Sequence, residues 1–356
     1  MIINKVIIFC MLTLISFSGC KSPNQPANIG SSASGEWLIP TNQVFDGGPG
    51  KDGIPAISDP EMIESSSGSY LSDNELVIGI KIGDEARAYP HQILDWHEIV
   101  NDEMGSSVYS VTYCPLTGSA IGWNRSLNGA STTFGVSGLL YNTNLIPYDR
   151  ATDSNWSQMG LKCVNGELAG QEISLYHVIE TTWGTWKKMA PNTQVQSKST
   201  GFNSPYGRYP YGDYKTNNDK LLFPITNDDS RMGRKERVLG IIDGNFTKAY
   251  KIAALAGGIQ VMNEKFNATP FVVIGSSSLN FAVAYDRKTT DGKILSFEPV
   301  QNALPVVMKD AQGSTWDVFG RAIDGPRKGQ QLKAAKSFIS YWFAWSAFYP
   351  NAKVYK

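Results

Sequence analysis

Apolar positions alternate along Val77 to Ile82, pause at a Gly83-Asp84 turn and resume from Ala86 to Tyr89. A period of two predicts a pair of strands. Pro90 then introduces HQILDWHEIVND, where Ile93, His97 and Val100 fall on one face at helical spacing. A proline at the first turn and that spacing predict a helix of about three turns, with His97 turned inward. The next stretch, SVYSVTY, reads as a strand ending at Cys114. Two later turns are legible as Asn128-Gly129 and Asp291-Gly292, dipeptides that supply the positive φ a tight hairpin needs. A Trp-marked helix near residues 180 to 190 closes this run of elements.

Much of this pattern occurs twice. VIGIKIGDEARAYPHQIL (77 to 94) aligns without a gap on VLGIIDGNFTKAYKIAAL (238 to 255), with seven identities in eighteen positions at an offset of 161. Further along, Trp156 and Gly160 match Trp316 and Gly320, and Trp183, Trp186, Pro191, Asn192 and Val195 match Trp342, Trp345, Pro350, Asn351 and Val354. A self-match in the same order predicts a tandem duplication. The first repeat spans 75 to 196 and the second, degenerate one 236 to 356. The expected fold is therefore α+β and β-rich, with two similar halves packed about a pseudo-twofold axis. Residues 197 to 235, crowded with Gly, Pro, Tyr and Asn, are too aromatic for a disordered linker. They are expected to form an ordered connecting loop, either functional or a strap over an edge.

The amino-terminal residues 1 to 20, MIINKVIIFCMLTLISFSGC, have a lysine, a short apolar run and small residues before Cys20. This is the pattern of a bacterial lipoprotein signal peptide. It places a lipid on Cys20, a flexible tether over 21 to 36, and the body outside the cytoplasm as a membrane-anchored cell-envelope protein. With 32 Lys+Arg against 32 Asp+Glu, there is no basic excess to neutralise phosphates, so nucleic acid is not an expected partner. No G-x-S-x-G elbow, H-E-x-x-H pair or phosphate loop is present.

Candidate chemistry centres on VTYCPLTGSA. At the offset of 161, Cys114 falls on Gly275 and His97 on Gly258, so both side chains are lost together. That joint loss predicts that they share one site in the first repeat. A thiol at a strand end before Pro-Leu-Thr-Gly-Ser can receive turn amides and the hydroxyls of Thr117 and Ser119, which would favour a thiolate. His97 would then act as base or ion-pair partner. Substrate contacts are expected from Thr117, Ser119, Tyr141, Asp149, Arg150 and Trp156.

Three readings follow: a thiol-dependent enzyme or redox protein using Cys114 and His97; a metal site at the same pair, copper before zinc because Cu(I) tolerates few ligands; and a non-catalytic lipoprotein that binds a small molecule or scaffolds an envelope component. The bland alternatives are a core histidine, a buried cysteine, and a disulfide between Cys114 and Cys163.

The segments GDEARAYPHQILDWHEIVND, VTYCPLTGSA, FGVSGLLYNTNLIPYDRATDSNWSQ and YPYGDYKTNNDKLLFP resemble the domain-of-unknown-function 3179 family of bacterial exported proteins. The resemblance implies export and no assigned activity. In many members of that family the motif looks like Tyr-Cys-Pro-Leu-Cys, which favours redox or metal chemistry. Here the second cysteine is replaced by Thr117.

Overall fold

The computed structural model describes Pro26 and residues 35 to 355. The signal peptide, Cys20 and most of the tether lie outside the described residues.

The elements around the site are β1 (Leu76–Ile82), β2 (Glu85–Pro90), α1 (His91–His97), β3 (Ile99–Met104), β4 (Ser107–Cys114), β5 (Ser119–Asn124), β6 (Phe134–Tyr141), β7 (Asn144–Asp149), β8 (Val178–Thr182) and α2 (Trp183–Met189). The later part adds β9 (Arg237–Asp243), β10 (Phe246–Lys251), β11 (Gln260–Phe266), β12 (Thr269–Ser276), β13 (Phe281–Asp286), β14 (Ser337–Tyr341) and α3 (Trp342–Phe348).

The expected α+β fold of two similar halves about a pseudo-twofold axis is overturned. Strands hold 43% of the chain and helices 9%, and the sheets do not divide into two equivalent halves. One nine-stranded sheet runs from Ile57–Ser58 through β3, β4 and β5 into β14, β9 and β10, ending at Lys353–Val354, with Leu175–Tyr176 also paired to β5. It thus takes strands from both parts of the chain. β1, β2 and β8 belong to a separate five-stranded sheet, whereas β11, β12 and β13 form a sheet of three. Similar packing does recur locally. A Cβ on Gly79 would meet the Trp186 ring at 2.3 Å, and one on Gly240 would meet Trp345 at 2.1 Å. Such contacts explain why these glycines and tryptophans pair in the sequence, yet the sheets built around them differ.

The predicted helix is also shorter than expected. It ends at His97, because Glu98 takes φ 57° and ψ −32° and turns the chain into β3. β-branched Ile99 and Val100 are suited to that strand. The Asn128-Gly129 turn has both residues at positive φ, 51° and 85°, as the dipeptide predicts.

Residues 197 to 235 contain no helix or strand. Three contacts fasten this loop to α1: Tyr206 hydroxyl to His97, the Trp96 indole N–H to the Arg208 carbonyl at 3.0 Å, and Lys215 to Asp95 at 3.0 Å. The Tyr209 hydroxyl also donates to the Pro115 carbonyl at 3.1 Å. The loop therefore lies against both the helix and the turn after Cys114.

Candidate functional site

Cys114 ends β4 and is 1% exposed. Its thiol points at the Thr143 carbonyl, 3.8 Å away. Burial, followed by the charge of nearby Glu98, pushes the thiol up to about 11, while the Thr117 hydroxyl and the amides of Leu145 and Thr117 pull the other way. Some of the donors anticipated from the turn are therefore present. Desolvation outweighs them, and the sulfur stays protonated at neutral pH.

His97 is fully buried, as its helical phase predicts. Its Nδ1 is 2.7 Å from the Pro55 carbonyl, which can only accept, so Nδ1 carries the proton. Nε2, 2.6 Å from the Tyr206 hydroxyl, is then the acceptor. Burial lowers its pKa, opposed by the bond to Pro55. Both ring nitrogens are occupied, and Glu98 rather than His97 is the ionisable group acting on the thiol. With Nδ1 on the Pro55 carbonyl and Nε2 on the Tyr206 hydroxyl, neither ring nitrogen is free to join the Cys114 sulfur on a copper ion. Among the described residues no group of three or more His, Cys, Asp or Glu side chains could hold a metal.

The expected substrate contacts are placed elsewhere. Thr117 and Ser119 hydroxyls bond each other at 2.9 Å, and Asn144 donates to Thr117 at 3.0 Å and to the Gln158 side-chain oxygen at 2.6 Å. Gln158 in turn donates to Thr112 at 3.0 Å. This closed network braces the turn after Cys114. Asp149 accepts from the Trp156 indole at 3.0 Å and from the Thr152 amide at 2.8 Å, which is a turn brace. Arg150 pairs with Asp52 near the surface, and Tyr141 packs edge-on against Phe348. Cys114 and Cys163 are free rather than joined in a disulfide; Cys163 donates to the Asn155 carbonyl at 3.3 Å.

A cavity of about 320 Å³ opens beside the Cys114 turn. Ile54, Leu116, Val136, Leu140 and Leu145 supply apolar walls, and Tyr211 and Phe223 of the connecting loop complete them. Asp95 and Glu98, one helical turn apart, are its carboxyl groups. Asp95 is bound to Lys215 through both oxygens, and burial, partly offset by Lys215, raises it to about 6. Glu98 is 6% exposed, has no hydrogen-bond or ion-pair partner for its side chain among the described residues, and is pushed up to about 8 by burial alone. Its backbone is fixed on both sides, the amide donating to Leu94 at 2.8 Å and the carbonyl accepting from Tyr113 at 2.7 Å. A glutamate held at positive φ is uncommon and costs energy. The fold therefore maintains a strained backbone that leaves this carboxyl beside the cavity.

Asp95, Glu98, Tyr211 and Lys215 were not anticipated from the sequence. Their available signals were the spacing of Asp95 and Glu98 in DWHE and the YPYGDYK run of the connecting loop.

The fold and site define a β-rich protein with a small, mostly apolar pocket walled on one side by a long aromatic loop. The chain belongs to the family described as protein of unknown function (DUF3179), whose model matches residues 51–352. No curated protein and no solved structure matches it.

Proposed function

We propose that this protein binds a small, predominantly apolar molecule in the cavity between α1, the Cys114 turn, the β6–β7 hairpin and the connecting loop. The observation that carries the reading is the cavity itself: about 320 Å³ of largely hydrocarbon-lined space, within the size of a small-molecule site. The thiol-enzyme reading has one support, the Thr117 and Leu145 donors around Cys114. A buried, protonated sulfur whose prospective base is already hydrogen-bonded to Pro55 and Tyr206 weighs against it.

The test uses N-phenyl-1-naphthylamine, a neutral probe that fluoresces in apolar surroundings. Leu139 lines the cavity and is only partly buried, so Leu139→Trp fills the space with little disturbance to the fold. Saturable, blue-shifted binding by the unaltered protein and at least tenfold weaker binding by Leu139→Trp, at an unchanged melting temperature, are expected. Equal binding by both proteins, or none by either, refutes the cavity as a ligand site.

A further inference from the structure

A carboxyl group in an apolar cavity must either find a cation or stay neutral, because an unpaired buried charge is far costlier than a buried acid. Lys215, the partner of the cavity's other carboxyl, is committed to both oxygens of Asp95, and its ammonium lies 4.0 Å above the Tyr209 ring. Glu98 is left without one. The other ionisable groups facing it are Cys114 from β4 and Tyr211 from the connecting loop. Burial holds both protonated near neutrality. No positive charge is therefore available to keep Glu98 ionised, and its carboxyl opens on a space walled mainly by aliphatic side chains.

An un-ionised carboxylic acid has an O–H to donate, and donation to an occupant's acceptor would replace the solvation that burial removed. We propose that Glu98 acts as a neutral carboxylic-acid donor to one acceptor oxygen of the ligand, which makes the ligand an uncharged, mainly apolar molecule carrying a carbonyl. This deepens the proposed function and rests on the cavity being a ligand site. It assigns Glu98 the discriminating contact and the surrounding aliphatic walls the bulk of the affinity. A cationic amine would instead have to ionise Glu98 and bury two charges among hydrocarbon side chains, which that environment disfavours. The titration follows from the same geometry: ionising Glu98 removes the donor, so recognition of the carbonyl fades as pH rises through about 8.

The experiment compares two fluorescent probes of nearly equal size, 6-propionyl-2-dimethylaminonaphthalene, which has a ketone, and 6-propyl-2-dimethylaminonaphthalene, in which a methylene replaces the carbonyl. The unaltered protein should bind the ketone about tenfold more tightly than the methylene analogue at pH 6, and the advantage should vanish by pH 9.5. Glu98→Leu should bind both alike at either pH. Glu98→Gln, which keeps a donor that does not titrate, should retain the preference at pH 9.5. Equal binding of the two probes by the unaltered protein at pH 6 overturns the assignment while leaving the cavity in place. An undiminished ketone preference in Glu98→Leu also overturns it, as does tighter binding of 2-naphthylmethylammonium than of the ketone. Failure of both probes to bind removes the cavity reading and this one with it.

Discussion

Two three-strand meanders, β3-β4-β5 and β11-β12-β13, have nearly the same lengths and antiparallel registers and share the walls of a cleft of about 440 Å³, yet the apolar cavity adjoins only the first, at the turn after Cys114. The first is entered from α1, seven residues long, and the second from a three-residue turn of 3-10 helix, Ile252–Ala254. Around the turn after Cys114, Thr117, Ser119, Asn144 and Gln158 form a saturated polar network. Beside β12 the corresponding volume is gone: a Cβ on Gly275 would meet Leu255 Cδ1 at 2.5 Å and the Phe281 carbonyl at 2.9 Å. Hydrocarbon closes space in one meander, and directional hydrogen bonds hold the turn rigid beside open space in the other. An apolar contact can slide to fill a gap, whereas a satisfied network loses bonds if it moves.

The largest expected effect comes from removing the centre of that network. Asn144→Ala removes the donor to Thr117 and Gln158 and leaves the buried Met159 amide without its acceptor, so urea unfolding should show a loss of about 3 kcal/mol. A loss under about 0.5 kcal/mol would mean that the network does not brace the turn. In the packed meander, Gly275→Ala should cost about 2 kcal/mol by overpacking against Leu255 and the Phe281 backbone. A neutral result there would show that the second region has slack after all, and the contrast would collapse.

The smallest effect is the one spread over pH, where no single unit changes stability by more than about 1.4 kcal/mol. Glu98 is raised in the folded state, so its neutral form favours folding. That stability is fully present below the ordinary glutamate pKa of about 4.3 and is lost as pH rises toward about 8. Unfolding free energies of the unaltered protein minus those of Glu98→Gln should fall across this window, by at most about 1.4 kcal/mol per pH unit, and level off above it. A flat difference would place Glu98 in a solvated setting and remove the distinction between the two meanders at its most sensitive point.

Several features were legible because local chemistry decides them. The Asn128-Gly129 turn, the strand ending at Cys114 and the inward phase of His97 each depend on a few neighbouring residues. The early end of α1 was hidden because nothing in the identity of a glutamate announces positive φ; that conformation is imposed by the bonds to Leu94 and Tyr113. The sheet plan was hidden for a related reason. Self-similarity reports shared local packing, such as tryptophan over glycine, whereas strand partnership across the molecule depends on edges that one segment alone does not define. The site was half visible: Cys114 borders the region, but its cavity is assembled from residues 47 to 54, α1, β6, β7 and the connecting loop. No single window of sequence contains that set.

The junction inside the nine-stranded sheet has a temporal consequence. β5 meets β14 through one paired position, Ala120 with Ile339, and the Tyr341 amide donates to the Thr117 carbonyl at 2.8 Å. As the chain is synthesised from its amino end, the turn after Cys114 emerges more than two hundred residues before the strand that caps it. Until then the Ser119 to Ile121 part of β5, beyond the positions that Leu175–Tyr176 covers, presents an unsatisfied edge on which other strands can add. Completion of this part of the sheet is thus deferred until residues 337 to 341 have been made, and a nascent chain would expose an aggregation-prone border where the finished protein has a seam.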